Sequence, residues 1–291
     1  MGNLRFKRIS TLLAGATFLI AFLGLIGWAV DISFVRYMIS KAFATINPLA
    51  GVNMLLFAVA FYLLSAVESS ARNTWFAFAL IAFIFSTSLS VMMDLLFGFS
   101  LHVDLLLPAL KIEGQNSTRV HTHMAFIAAL NFVLCSTSLW LTKKVPAKPF
   151  LHQALTLLVI IFSLFVVLGH LYGVPEFSLT LPLTMALPVA ICFILIALAL
   201  LFSHPDVALT RKLTSSFSGS LATRYLIPSA VLLPLLIGYI KVWGHSKLTY
   251  SAELGTTLLV LSFIIIFITI VWKVTAELNR RDAQKIKQDE E

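Results

Sequence analysis

Long apolar runs of about twenty residues, separated by short polar segments, dominate this sequence. An α-helix rises about 1.5 Å per residue, so each run is long enough to cross the hydrocarbon core of a bilayer, which is about 30 Å thick. We therefore predict an all-α, polytopic membrane protein with eight transmembrane helices. The predicted spans are 10–30, 47–66, 75–97, 124–142, 151–172, 181–202, 225–242 and 254–274.

The eighth apolar run continues into a polar segment that contains neither Gly nor Pro. Most residues of this segment favour helix, so the pattern predicts that the last helix extends beyond the lipid. We expect residues 1–274 to form an integral-membrane domain and 275–291 to form a cytoplasmic helical linker. Candidate relay residues are two prolines that would kink the seventh span and two residues of the exit helix. They are Pro228, Pro234, Trp272 and Leu278.

The even-numbered spans share a sequence pattern. The stretch that starts at Met185 aligns with the stretch that starts at Met124, and both align more weakly with the stretch from Ile46. The odd-numbered spans end alike, each in a Gly, at Gly98, Gly173 and Gly244. We predict helical hairpins repeated about four times. The alternative is that small residues recur at helix starts because they allow close packing.

Composition and charge agree with a membrane protein. A mean hydropathy of +0.95, with 59% hydrophobic and 12% charged residues, excludes a soluble globular domain. Most of the 21 Lys and Arg residues fall in segments that the predicted topology places on one side. Cytoplasmic loops are enriched in Lys and Arg, so we place both termini in the cytoplasm. This also explains the formal charge of +8, and no nucleic-acid partner is expected.

Ionisable residues at the outer ends of the odd spans are candidate ligand contacts. Asp94, His170 and Lys241 each precede the terminal Gly by three or four residues, so they should share one depth. Such groups are costly in a membrane unless they are paired or hydrated. An Asp94–Lys241 ion pair, or Lys241 reaching alone to the interface, is the structural alternative to the rim of an outward-facing pocket. In mid-membrane, Asn131 either joins helices by hydrogen bonds or lines a pocket.

Most of the histidines also fall on the outer side in this topology. Together with Asp94 and Asp104 they raise the alternative of a zinc, copper or haem site, for which the candidate ligands are His102, His121, His123, His170 and His245. However, residues two apart point to different faces of a helix, and no Cys or Glu completes a recognisable ligand spacing. We therefore interpret them as interfacial histidines, and leave any metal or cofactor unassigned.

Residues 221–238, Glu253-Leu254-Gly255 and the end of the exit helix at 276–282 resemble a known class of membrane domain. They are similar to the membrane-integral N-terminal sensor regions, of MASE type in the broad sense, of bacterial sensor histidine kinases and diguanylate cyclases. The helix starts at Met124 and Met185 are similar to the same regions. The resemblance covers most of the chain and is strongest over 181–282. It implies a homodimer in the bacterial inner membrane, with a kinase or cyclase output domain that these 291 residues do not include.

We therefore predict a sensory input domain that detects an outer-face or intramembrane small-molecule ligand. The C-terminal helix would relay the signal to the output domain. The inner face lacks a clustered set of acid, base and metal ligands, so no catalytic residues and no enzyme activity are expected. The alternative is a small-solute or lipid transporter built from hairpin repeats, which would need polar residues along a path to both faces.

Overall fold

The computed structural model describes residues 2–29, 46–65, 70–99, 124–142, 149–172 and 185–204, and helical residues at 229, 232–240, 242, 259–263, 265–267 and 269–270. The chain divides into two compact units, Met1–Val207 and Ala208–Glu291. The described residues of the first unit form six helices. These are α1 (Gly2–Ala29), α2 (Pro48–Ser65), α3 (Ala71–Phe97), α4 (Phe126–Leu141), α5 (Pro149–Leu171) and α6 (Leu187–Ser203).

Four of these helices, α1, α2, α3 and α5, are long and apolar enough to cross a membrane, and α4 and α6 are shorter apolar helices. The prediction of an all-helical membrane protein is thus confirmed for the described residues. The helix that was predicted from residue 10 begins at Gly2, because hydropathy marks only the apolar part and not the basic first turns. The helix that was predicted from residue 181 begins at Leu187. The exit helix at 275–291 lies outside the described residues, and the eight-helix arrangement stays a prediction.

The six helices form a closed ring in which each helix packs against two neighbours, and three of the six lie toward the centre. Helix α1 packs against α2 and α6, α3 packs against α2 and α4, and α5 packs against α4 and α6. Helices α2, α4 and α6 also contact one another, so they form the centre, and α1, α3 and α5 are the outer helices. We call the end where the outer helices begin and the inner helices end the near end. The opposite end is the far end.

The inner helices bury the same positions. Helices α2 and α4 each bury nine residues, and these occur at identical distances from the first helical residue, Pro48 or Phe126. Helix α6 buries all nine equivalent residues when counted from Leu187, and in addition Leu201. Small residues that only allow close packing at helix starts would not keep this register over four turns. The described part of the chain therefore contains three equivalent hairpins, α1–α2, α3–α4 and α5–α6.

The outer helices each bury a narrow stripe, spaced alternately by four and three residues, which is the spacing of helices packed at a small crossing angle. The stripe is occupied by Ser10, Ala14, Thr17, Ala21 and Gly24 in α1, by Ala77, Ile81, Ile84, Ser88 and Val91 in α3, and by His152, Thr156, Val159, Ser163 and Val166 in α5. Large apolar side chains such as Phe22, Phe83 and Ile161 are exposed on the same helices. These exposed apolar faces fit contact with lipid.

Large apolar side chains fill the centre of the inner helices. Phe57, Phe61, Phe132 and Phe193 are fully buried there. The rings of Phe132 and Phe193 meet edge to face, with their centroids 4.7 Å apart, which is a favourable aromatic arrangement. The middle of this bundle is therefore packed with side chains rather than open.

Candidate functional site

A cavity of about 290 Å³ lies at the near end, where the three inner helices end beside the first turns of α1. We call it the near-end pocket. Its apolar wall consists of Phe61, Leu64 and Leu139. Its polar lining residues are Lys7, Ser10, Thr11, Ser65, Thr142, Ser203 and His204.

Equivalent residues of the three inner helices line the near-end pocket. Leu64 of α2 and Ser203 of α6 are seventeenth from the first helical residue, and Thr142, which directly follows α4, has the same position when counted from Phe126. The last four carbonyls of a helix have no partner within it, and the helix dipole places partial negative charge there. Three such ends converge on the pocket, so its electrostatic environment favours positive charge.

The hydroxyl groups around the pocket donate their hydrogens to backbone carbonyls. Ser10 Oγ donates to Ala199 O at 3.0 Å and thereby joins α1 to α6. Ser203 Oγ donates to Leu200 O at 2.7 Å, and Thr142 Oγ1 donates to Leu139 O. Thr11 Oγ1 donates to Lys7 O at 3.0 Å. A hydroxyl has one donor and two acceptor lone pairs, so these side chains retain acceptor capacity toward the cavity.

A buried histidine of α5, His152, contacts residues of α4 and α6 next to the near-end pocket. The side chain of His152 is 1% exposed, and its Nε2 lies 3.4 Å from Leu200 O. Its Nδ1 lies 3.0 Å from Ser138 Oγ. Nδ1 also lies 3.2 Å from Ser138 O, so the ring nitrogen that carries the hydrogen decides which of these contacts it donates to. His152 therefore joins the ends of α4 and α6.

His204 follows α6 directly and lines the near-end pocket beside His152. The two imidazole rings meet edge to face, with centroids 5.6 Å apart and an interplanar angle of 88°. Burial, followed by the nearby charges of His152 and Lys7, lowers the pKa of His204 from 6.5 to about 4. At neutral pH His204 is therefore an uncharged imidazole that can both accept and donate a hydrogen bond.

Acidification from pH 7 to pH 4 is expected to destabilise the fold through His204. The pKa of this side chain is about 4 in the fold and 6.5 when it is unperturbed. Between these values the unfolded chain binds more protons than the folded chain, so stability falls as the pH falls, and above pH 6.5 the contribution of His204 is constant. His204→Gln should flatten the dependence of Tm on pH in this window, as measured by thermal unfolding in detergent. An unchanged slope in the variant would contradict the assignment.

Two equivalent polar pairs lie deeper in the bundle. Asn53 Nδ2 of α2 donates to Thr87 Oγ1 at 3.2 Å and is 3.4 Å from Ser88 Oγ of α3. At the equivalent position Asn131 Nδ2 of α4 donates to Ser163 Oγ of α5 at 3.2 Å. Asn131 is fully buried and joins two helices here, and its Oδ1 has no partner. Phe162 takes the place of Thr87 in this hairpin, which explains the unpaired oxygen.

The other residues that the sequence singled out and the structure describes lie outside the lining of the near-end pocket. Asp94 is partly buried near the far end of α3, where its carbonyl accepts the N–H of Gly98. His170 Nε2 lies 3.2 Å from Met185 O, at the far end of α5. Asp94 and His170 thus lie near the ends of α3 and α5, the helices that correspond to the third and fifth predicted spans, and the ligand contacts predicted for them stay a prediction. Pro234 lines an apolar cavity of the second unit together with Leu233 and Phe263.

Six of the predicted ligand-contact and relay residues lie outside the described residues. They are His121, His123, Pro228, Lys241, Trp272 and Leu278. The ligand contacts and the relay that were predicted at these positions stay predictions. Among the residues that the structure describes, no group of three or more His, Cys, Asp or Glu side chains is placed to hold a metal ion.

Sequence reasoning missed the near-end pocket. Its residues are common surface types, and only their convergence at the ends of three helices makes a site. The signal was present in the repeat itself. When the alignment that begins at Met124 and Met185 is extended to the helix ends, Thr142 and Ser203 fall on the same position.

Comparison with known proteins gives no further assignment, since no protein-family model, no curated protein and no solved structure matches this chain. The fold and the near-end pocket therefore carry the functional argument by themselves.

Proposed function

We propose that this chain is the membrane-integral sensory input domain of a bacterial signal-transduction protein. A small ligand in the near-end pocket stabilises one of two packings of the hairpins. The difference passes along the chain that follows His204, through the C-terminal helix, to a kinase or cyclase output. A ligand can shift such an equilibrium only by binding one packing more tightly than the other.

The observation that best supports the sensory function is the position of the near-end pocket. It lies where all three inner helices end, and it is the place where α1 and α6 close the ring through the Ser10–Ala199 hydrogen bond. His204 belongs to the pocket and is also the residue from which the chain continues toward the second unit. A ligand at this site therefore contacts both the closing interface of the ring and the start of the connection.

Charge supports an orientation for this domain. Arg5, Lys7, Arg8 and Arg72 lie at the near end, at the starts of α1 and α3. The enrichment of basic residues in cytoplasmic segments supports an orientation with the near end at the cytoplasmic face of the inner membrane. In this proposal the near-end pocket opens to the cytoplasm or to the inner lipid leaflet, whereas the sequence suggested an outer-face or an intramembrane ligand. The proposed homodimer and output domain rest on the sequence resemblance alone.

The packed centre argues against the transporter alternative. A transported solute needs a polar route between the two faces, whereas the inner helices meet through fully buried phenylalanines, among them Phe61 and Phe132. The polar pairs at Asn53 and Asn131 are bonded to the next outer helix, α3 or α5. A sensor needs only a site and two packings, and it is therefore the better fit to the described helices.

Filling the near-end pocket should change the output if this function is correct. We expect Ser203→Phe to alter the activity of a diguanylate cyclase domain joined to Glu291 of the full chain by about threefold or more, measured in membrane vesicles. Ser86→Phe is the matched control, because Ser86 is exposed on α3 and also donates its hydroxyl to a backbone carbonyl of its own helix. Equal activities of the wild type and both variants would refute the proposal. Solute uptake by proteoliposomes of the chain would favour the transporter.

A further inference from the structure

The near-end pocket offers many more hydrogen-bond acceptors than donors. The hydroxyls of Ser10, Thr142 and Ser203 donate to carbonyls of their own or a neighbouring helix, so they face a ligand with oxygen lone pairs. The donors that remain among the described lining residues are the Lys7 ammonium, one N–H of the neutral His204 ring and the hydroxyl of Ser65. A ligand that supplies N–H donors matches the larger number of acceptors, whereas an anion would have only these three donors.

The charge at the near-end pocket also favours a ligand that carries a positive charge. The C-terminal ends of α2, α4 and α6 each place partial negative charge at the cavity. Lys7 is the one cation among the described lining residues, and its exposed side chain carries the ammonium on a long, flexible stem. A diffusible cation would therefore bind in competition with Lys7.

The described lining residues do not fit the common metal ions. Mg²⁺ and Ca²⁺ are bound mainly by carboxylates, and zinc is bound by several Cys, His or carboxylate ligands. Among the described lining residues there is no carboxylate and no thiol. The apolar wall of Phe61, Leu64 and Leu139 offers nothing to a bare ion, but it suits a short hydrocarbon chain. The volume of about 290 Å³ is several times the roughly 30 Å³ that one water molecule occupies in the liquid.

We infer that the near-end pocket binds a small protonated alkylamine. Its ammonium group lies among the hydroxyl and carbonyl oxygens at the helix ends, and its hydrocarbon chain contacts Phe61, Leu64 and Leu139. Here the near-end pocket is taken as the sensory site of the proposed function, and the inference adds the chemical class of its ligand.

Calorimetric titration of the full chain in lipid nanodiscs at pH 7 tests the inference. The probes are n-butylammonium chloride, n-butanol and sodium butyrate, which share a hydrocarbon chain and differ in charge. We expect saturable binding of n-butylammonium, with Kd at least about tenfold lower than for either control, which corresponds to about 1.4 kcal/mol. Tighter binding of butyrate would identify an anion site and overturn the inference. Equal binding of butanol would show that only the apolar wall recognises the ligand, and would also overturn it.

Two variants test whether the amine binds in the near-end pocket. Lys7→Met should lower the Kd of n-butylammonium about fivefold, because a competing positive charge is removed. Thr142→Val should raise it about fivefold, because one acceptor oxygen is lost at nearly constant shape. Thr74→Val is the matched control, since Thr74 lies at the near end of α3 outside the pocket and also donates to a backbone carbonyl, Ser70 O. Equal Kd values for wild type, Lys7→Met and Thr142→Val would overturn the inference.

Binding and signalling can fail separately. If n-butylammonium binds as expected but Ser203→Phe leaves the cyclase output unchanged, the sensory function is wrong and the ligand class stands. If the output responds to Ser203→Phe but n-butylammonium does not bind, the ligand class is wrong and the sensory function stands.

Discussion

Replacement of Phe132 by alanine is expected to lower the free energy of unfolding by about 3–5 kcal/mol, the usual cost of removing a buried phenylalanine from a packed core. Phe132 is 0% exposed and contacts Phe193 edge to face. It occupies the same position in α4 as Met54 in α2 and Phe193 in α6, so its side chain lies where the inner helices meet. The cavity that remains would loosen all three hairpins at once.

Phe83→Ala is the control for this prediction. Phe83 lies on the outer helix α3 and is 47% exposed, so its removal changes contact with lipid or detergent rather than with the core. We expect a change within about 0.5 kcal/mol, as for other exposed positions. Both variants are compared by reversible unfolding in mixed micelles, followed by circular dichroism. Similar losses in the two variants would show that the inner helices do not form the core described above.

His152→Leu is expected to destabilise the fold by about 1–3 kcal/mol, the cost of leaving buried polar groups without a partner. Leucine is similar in size but cannot bond to Leu200 O or to Ser138 Oγ. A second effect follows at His204, because His152 is one of the groups that lower its pKa. The pKa of His204 should therefore rise toward 6.5 in the variant, which narrows the pH window of the acid destabilisation and makes the loss of stability in that window smaller.

Nuclear magnetic resonance titration of the His204 ring, together with unfolding of the same samples, measures both effects of His152→Leu. Thr11→Ala provides the comparison, since the exposed Thr11 hydroxyl bonds only within its own helix, to Lys7 O. A wild-type pKa for His204 in the variant would show that the two imidazoles do not interact. Unchanged stability would show that His152 does not hold α4 and α6 together.

The sequence predicted the helices well, because lipid imposes one rule on every span. A run such as Pro149–Leu171 must satisfy its backbone internally and be apolar outside, so hydropathy locates it directly. The alignment of Met124 with Met185 also has the register that the buried residues of α4 and α6 show. Helix starts were less well predicted, since the first turns of α1 are basic and carry no hydropathy signal.

The candidate site was not predictable in the same way. The depth of a residue in the membrane can be estimated by counting from the Gly that ends its helix, which is how Asp94 and His170 were grouped. The sequence does not show in the same way which helices pack against one another. Asp94 and His170 lie on α3 and α5, and their contact with a common ligand stays a prediction. Conversely, Lys7 and His204 are nearly two hundred residues apart, and only the closure of the ring between α1 and α6 brings them to one pocket.

The three hairpins pack equivalently, but they differ in the mid-membrane contact between each inner helix and the next outer helix. Asn53 bonds to α3 and Asn131 bonds to α5, whereas the equivalent pair at the junction of α6 with α1 is Cys192 and Ala21. A directional bond in an apolar medium fixes rotation about the helix axis, and a thiol opposite a methyl group does not. At mid-membrane depth, hydrogen bonds thus fix the contacts of α2 with α3 and of α4 with α5, whereas α6 and α1 are joined by the Ser10–Ala199 hydrogen bond at the near end. Rotation of one helix against its neighbour should therefore be easiest between α6 and α1, away from the near end.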